Sequence, residues 1–221
     1  MADPPKSVAL TAELHDYLVA HGTPLDDVQR WLISETRAKA GGFAGMQIAP
    51  EQGAFMTVLT RLLGVRQAVE VGTFTGASAL AVARGLTPGG RLLCCDVNED
   101  WTAVAQEAWR RAGVADRIEL RIGPAIDTLR GLPDDLVVDL AFIDADKPSY
   151  AAYYEELLRR LRPNGVLLVD NTLWHGAVLD VSAQDDNTRA IRAFNDLVAA
   201  DDRVDTVLLP VSDGVTLLRK R

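Results

Sequence analysis

Apolar positions recur along the chain in two rhythms. Up to about residue 66 they fall three and four apart, the spacing of a helix with one buried face. Leu14, Tyr17 and Leu18 form one stripe, and Val28, Trp31 and Leu32 a second. These predict two helices between about residues 10 and 39. Thr23-Pro24-Leu25-Asp26 reads as the start of the second, with Thr23 as N-cap and Pro24 at the first helical position. Gly41-Gly42-Phe43-Ala44-Gly45-Met46 reads as a mobile glycine-rich loop and a candidate lid. A third helix opens at Pro50-Glu51-Gln52-Gly53, with Phe55, Met56, Leu59, Leu62 and Leu63 on its apolar side.

From Ala68 onward, short apolar runs alternate with helical stripes. Strands are predicted at about 68–71, 91–95, 117–121, 138–143, 165–170, 204–209 and 214–219. Helices are predicted at about 77–86, 99–112, 124–130, 149–161 and 187–200. Such alternation specifies a doubly wound α/β fold: a mostly parallel sheet covered on both faces. Asp213-Gly214 signals a hairpin turn, so the last of the seven strands is expected to run antiparallel to its neighbour. Residues 1–221 read as one domain, with a helical extension or lid over 1–66 and an α/β core over 67–221.

Composition narrows the class of partner. The net charge of −8 argues against a nucleic-acid binder, which needs clustered Lys and Arg. No apolar run approaches the roughly 20 residues of a membrane span. The N-terminus carries no basic-then-apolar leader. Cys94 and Cys95 are adjacent on a strand, point to opposite faces and read as buried thiols. A soluble, cytoplasmic protein is the expectation. His15 and His21 read as solvated, because no ligand cluster surrounds them.

Candidate chemistry gathers where strands end, the rim at which open α/β sheets bind ligands. After the first strand, Glu70 leads into Gly72-Thr73-Phe74-Thr75-Gly76 and then Ser78 at a helix N-terminus. This is neither a G-x-G-x-x-G dinucleotide fingerprint nor a P-loop. Asp96 ends the second strand, placed to accept ribose hydroxyls or to cap a helix. Gly123-Pro124-Ala125 follows the third strand, as a close-approach turn for a flat ring or a plain connection. After the fourth and fifth strands come Asp144-Ala145-Asp146-Lys147 and Asp170-Asn171. Asp144, Asp170 and Asn171 offer only oxygen, which suits Mg²⁺, Mn²⁺ or Ca²⁺ and not zinc. Lys147 lies three residues beyond Asp144, within reach of the same spot. A partly desolvated lysine beside a cation can serve as a base.

With these motifs in this order and spacing, the chain resembles the cation-dependent, S-adenosylmethionine-using O-methyltransferases, the group of catechol and caffeoyl-CoA O-methyltransferases and their bacterial relatives. The resemblance runs from about Ala38 to Arg221. It implies a Rossmann-like methyltransferase fold and S-adenosyl-L-methionine as cofactor. Glu70, Gly72, Thr73 and Ser78 would hold the methionine and ribose side of the cofactor. Asp96 and Val97 would flank its ribose and adenine, and Pro124 and Ala125 its ring. Met46 and Ile48 would line the methyl-transfer path. Asp144 would lie near the cofactor amine and, with Asp170 and Asn171, ligate Mg²⁺ (or Mn²⁺ or Ca²⁺). Lys147 would be the general base. A small phenolic substrate with vicinal hydroxyls is implied, with Met46 and Trp174 beside it, and so is a homodimer. His175 reads as a solvated loop residue. Two other readings use the same sheet: a nicotinamide-dependent oxidoreductase, and a non-catalytic cofactor-binding protein.

Overall fold

The computed structural model describes residue 6 and residues 8–221. The expectation of no leader segment falls mainly on residues 1–5 and 7, which lie outside the described residues. Three helices come first: α1 (Ala12–Ala20), α2 (Asp27–Ala40) and α3 (Pro50–Leu62). Strand and helix then alternate: β1 (Gln67–Val71), α4 (Ala77–Gly85), β2 (Arg91–Asp96), α5 (Glu99–Arg111), β3 (Ile118–Ile122), α6 (Ala125–Arg130), β4 (Val138–Ile143), α7 (Tyr150–Arg160) and β5 (Leu161–Val169). Helix α8 (Asp186–Ala199) and strands β6 (Val204–Leu209) and β7 (Val215–Lys220) complete the chain.

The strands form one sheet in the order β3-β2-β1-β4-β5-β7-β6. Strands β1 to β5 pair in parallel, whereas β7 inserts antiparallel between β5 and β6. The expected mostly parallel, doubly wound sheet with an antiparallel last strand is therefore present. Strand order reverses between β1 and β4, which places their C-terminal ends at the switch point where such sheets bind ligands.

Period-two alternation builds a core on each face. Cys95 packs with Val71, Ile143 and Val169 against α6, α7 and α8. Cys94 packs with Phe142 and Leu168 against α3, α4 and α5. Adjacent cysteines thus enter separate cores, and both are free buried thiols. Among the described residues no helix is long and apolar enough to cross a membrane.

Several local expectations are corrected. Helix α2 starts at Asp27, with Asp26 as N-cap in a full capping box with Gln29, so Thr23 does not cap it. A side-chain acceptor three residues before a matching Gln satisfies two orphan amides at once, which Thr23-Pro24 cannot do. Gly41–Met46 folds as a 3-10 helix rather than an open loop. Its successor Gln47 donates to the hydroxyls of Thr36 in α2 and Thr75 in the glycine loop, at 2.9 and 3.2 Å. Thr36 also donates to Thr75, at 2.8 Å. The N-terminal helices are thereby bonded to the turn that follows β1. His15 is not simply solvated, because its Nε2 lies 3.3 Å from Glu51 Oε1. His21 is exposed, as expected, and stacks on Tyr17.

Candidate active site

The rim at the ends of β1, β4 and β5 is crowded by design of the backbone. Gly72 adopts φ +87°, and a Cβ there would sit 1.8 Å from the Asp144 carbonyl oxygen. The amide of Asp144 donates to Val71 O at 2.8 Å, and that of Asp170 to Ile143 O at 3.0 Å. Only glycine allows the β1 turn to pass this close to the β4 end. Glu70, Gly72, Asp144 and Asp170 are brought to one rim by these contacts.

Glu70 is completely buried, and neither carboxylate oxygen has a hydrogen-bond partner. Burial pushes its carboxyl up to about 8, against the partial offset of the nearby Ser78 and Thr73 hydroxyls. Thr73 Oγ1 is likewise buried and unpartnered. Three unsatisfied oxygens in one buried turn are costly in a folded protein and mark a place where a ligand completes the bonding.

Asp96 turns out to organise the glycine loop. Its Oδ2 accepts the amides of Thr73 and Phe74 at 2.8 and 2.7 Å, and its Oδ1 that of Asn98 at 2.8 Å. Phe74 is held at φ +51°, with its ring edge-on to Trp101. Asp96 O receives the Gly123 amide, so the Val97 and Pro124-Ala125 turns lie side by side. Val97 is 72% exposed and Met46 51%, available to contact a ligand rather than committed to the core. Ile48 packs against the α3–α4 side of the core.

Lys147 gathers the other half of the site. Its Nζ donates to Asp144 Oδ1 at 3.1 Å, Asn171 Oδ1 at 2.7 Å and the Tyr150 hydroxyl at 2.6 Å. The Tyr150 hydroxyl in turn donates to the Asp170 carbonyl at 3.2 Å. Nζ also lies 5.6 Å from the centre of the Trp174 ring, so Trp174 walls this spot. Asp170 is buried, and burial followed by the charge of Asp144 raises its carboxyl to about 7. Burial raises Asp144 too, opposed by Lys147. Asn171 adopts left-handed backbone geometry at φ +57°. The His175 side chain is exposed, as expected, while its amide donates to Asp213 Oδ1 at 2.6 Å.

Among the described residues no three His, Cys, Asp or Glu side chains converge as a metal cluster. The candidate set is two carboxylates and one amide. Two of the three already meet positive charge, since Lys147 Nζ touches both Asp144 Oδ1 and Asn171 Oδ1. That donor chemistry fits a hard cation that keeps open positions for water or substrate.

Three participants escaped the sequence reading. Tyr150 falls inside the helix predicted at about 149–161, with no local sign of a role at the rim. Asp213 signals a turn in the sequence, and in the structure it also anchors the 172–176 loop and lies 3.5 Å from Asn171 Nδ2. Gln52 donates to Asp170 Oδ2 at 2.7 Å. It had a visible signal: Gln52 occupies the apolar stripe of α3, at helical spacing from Phe55, Met56 and Leu59. Asp146, by contrast, is taken by the Tyr153 hydroxyl at 2.7 Å and lies apart from the site.

Comparison with known proteins places the chain among relatives. The family model described as O-methyltransferase matches residues 24–221. Caffeoyl-CoA O-methyltransferase 2 of Zea mays is 39% identical over 189 residues, covering 79% of this chain and 70% of the relative. A Dictyostelium discoideum protein named "Probable caffeoyl-CoA O-methyltransferase 1" is 39% identical over 209 residues, covering 93% and 90%. The solved O-methyltransferase of Bacillus cereus, in complex with SAH, superposes with a TM-score of 0.86 at 30% identity, covering 95% of this chain and 97% of that one. These matches displace the nicotinamide-dependent reading. Spanning the glycine turn, the Asp144–Lys147 segment and the Asp170-Asn171 pair alike, they establish that the chain belongs to the O-methyltransferase family.

Proposed function

We propose that this protein transfers a methyl group from S-adenosylmethionine to one hydroxyl of a vicinal dihydroxy aromatic, with a divalent cation, Mg²⁺ by preference, at the β4–β5 rim. The observation that carries the reading is the convergence of Asp144, Asn171 and Lys147 on one point beside Asp170, next to the unsatisfied Glu70 turn. The SAH held by the Bacillus cereus relative supports the cofactor assignment.

S-adenosylmethionine supplies a sulfonium-borne methyl, a strong electrophile. Glu70 offers its two unpartnered carboxyl oxygens to the donors of its cationic end. Gly72, Thr73 and Ser78 offer backbone and hydroxyl groups, and Asp144 accepts from the amine. Asp96 keeps lone pairs beyond its three amide bonds for a ribose hydroxyl. Val97, Pro124 and Ala125 border the base, and Met46 and Ile48 line the transfer path.

Asp144, Asp170 and Asn171 would hold the cation, which would acidify a chelated hydroxyl. Lys147, held in place by the Tyr150 hydroxyl, would take the hydroxyl proton at Nζ as the neutral amine, having first given up one of the protons it now donates. Trp174 confines the aromatic ring of the acceptor. Holding both hydroxyls fixes which oxygen faces the methyl, so catechol-type acceptors fit better than isolated phenols.

The test is a methyl-transfer assay on a panel of catechols, caffeoyl compounds and monophenols, with wild type and Asp144→Ala. Transfer to diols alone, lost in the variant, is expected; equal transfer to monophenols overturns the reading. We also propose a homodimer. Leu14, Tyr17 and Leu18 on α1 and Leu179 and Val181 in the 172–186 segment are exposed apolar residues suited to pairing. Light scattering that reports a monomer at micromolar concentration overturns that part.

A further inference from the structure

Gln52 has no part in the roles assigned so far. It lies in the first turn of α3, is 1% exposed, and sits where the helix stripe calls for an apolar side chain. Its amide nitrogen reaches Asp170 Oδ2 across 118 residues of sequence. Its carbonyl oxygen is buried without a partner. A buried amide that is only half satisfied is costly, and a fold retains one where the other half matters.

The bonds around Asp170 show what that half does. The Asp170 amide goes to Ile143 O, and its carbonyl receives the Tyr150 hydroxyl. Its Oδ1 receives the amide of Asn171 at 2.7 Å. These three contacts come from the rim itself. A carboxylate held through one oxygen can still rotate about its own axis; a second donor on the other oxygen fixes its plane. That second donor is Gln52. It is also a direct side-chain bond from the N-terminal helices to the rim acids.

We propose that Gln52 is a positioning residue that orients Asp170 for the cation and ties helix α3, and with it the segment carrying Met46 and Ile48, to the cation site. This rests on the cation reading given above. Partners that orient a ligating carboxylate set metal affinity as well as geometry.

The test measures Mn²⁺ uptake through the electron paramagnetic resonance signal of free Mn²⁺, in wild type, Gln52→Met and Gln52→Leu. Binding of S-adenosylhomocysteine by calorimetry serves as the control for an intact fold. The expected result is a loss of Mn²⁺ affinity of about 10–100-fold in both variants, with cofactor affinity within about twofold of wild type. Unchanged Mn²⁺ affinity in the variants overturns the role of Gln52 and leaves the cation site standing. Wild-type protein that takes up no Mn²⁺ overturns the cation site, and Gln52's role with it. Variants that lose cofactor and Mn²⁺ together make Gln52 a scaffold residue and overturn the assignment.

Discussion

Replacing Glu70 by Gln isolates the most costly group in the site. Glu70 is wholly buried, lacks partners for both oxygens, and has its carboxyl raised from an ordinary 4.5 to about 8, chiefly by burial. The folded protein therefore binds this proton more tightly than the unfolded chain does. The stability that this contributes is complete below 4.5 and is lost as pH rises toward 8. At about 1.4 kcal/mol per tenfold change in proton affinity, the full loss is about 5 kcal/mol. Glutamine cannot ionise, so Glu70→Gln escapes the loss, while the other acids titrate alike in both proteins and largely cancel. Urea unfolding from pH 4.5 to 8.5 should show near-equal stability at the acid end and a growing advantage for the variant toward the alkaline end. A difference that stays flat with pH refutes the reasoning. The same variant should bind S-adenosylhomocysteine at least about tenfold more weakly, since the strain is kept for a ligand that the carboxylate completes.

Other expectations follow from single contacts. Gly72→Ala forces a Cβ to within 1.8 Å of Asp144 O at a positive φ, so it should cost about 3 kcal/mol or more in urea unfolding. Lys147→Met should slow methyl transfer about 10²–10⁴-fold. Because Lys147 competes for Asp144 Oδ1 and Asn171 Oδ1, it should at the same time bind Mn²⁺ about tenfold more tightly, read by calorimetry. Asp26→Ala should lose about 1 kcal/mol of stability through the α2 cap, whereas Thr23→Ala should change little by the same denaturation assay.

The rhythm of apolar residues carried most of the fold, because a two-sided sheet and its covering helices write their periods directly into the chain. The strand-end acids were legible for the same reason: a strand stops where its apolar run meets a carboxylate, as at Asp96, Asp144 and Asp170. What stayed hidden depends on contacts between distant segments. The Gln52–Asp170 bond spans 118 residues, and Asp213 meets Asn171 only because β7 inserts beside β5. Nothing local reveals that two amides of the β1 turn also fold onto Asp96. Glycines at 41–46 suggest an open loop, because Gln47, which bonds the 3-10 helix to Thr36 and Thr75, lies outside the run.

The central claim is that Asp144, Asp170 and Asn171 hold a cation that the transfer needs. The direct measurement follows methyl transfer from S-adenosylmethionine to a catechol in protein stripped with EDTA, then restored with Mg²⁺, with S-adenosylhomocysteine binding measured in both states. The account predicts that chelation abolishes transfer while cofactor binding persists, and that Mg²⁺ restores it. Full transfer in the stripped protein would contradict it.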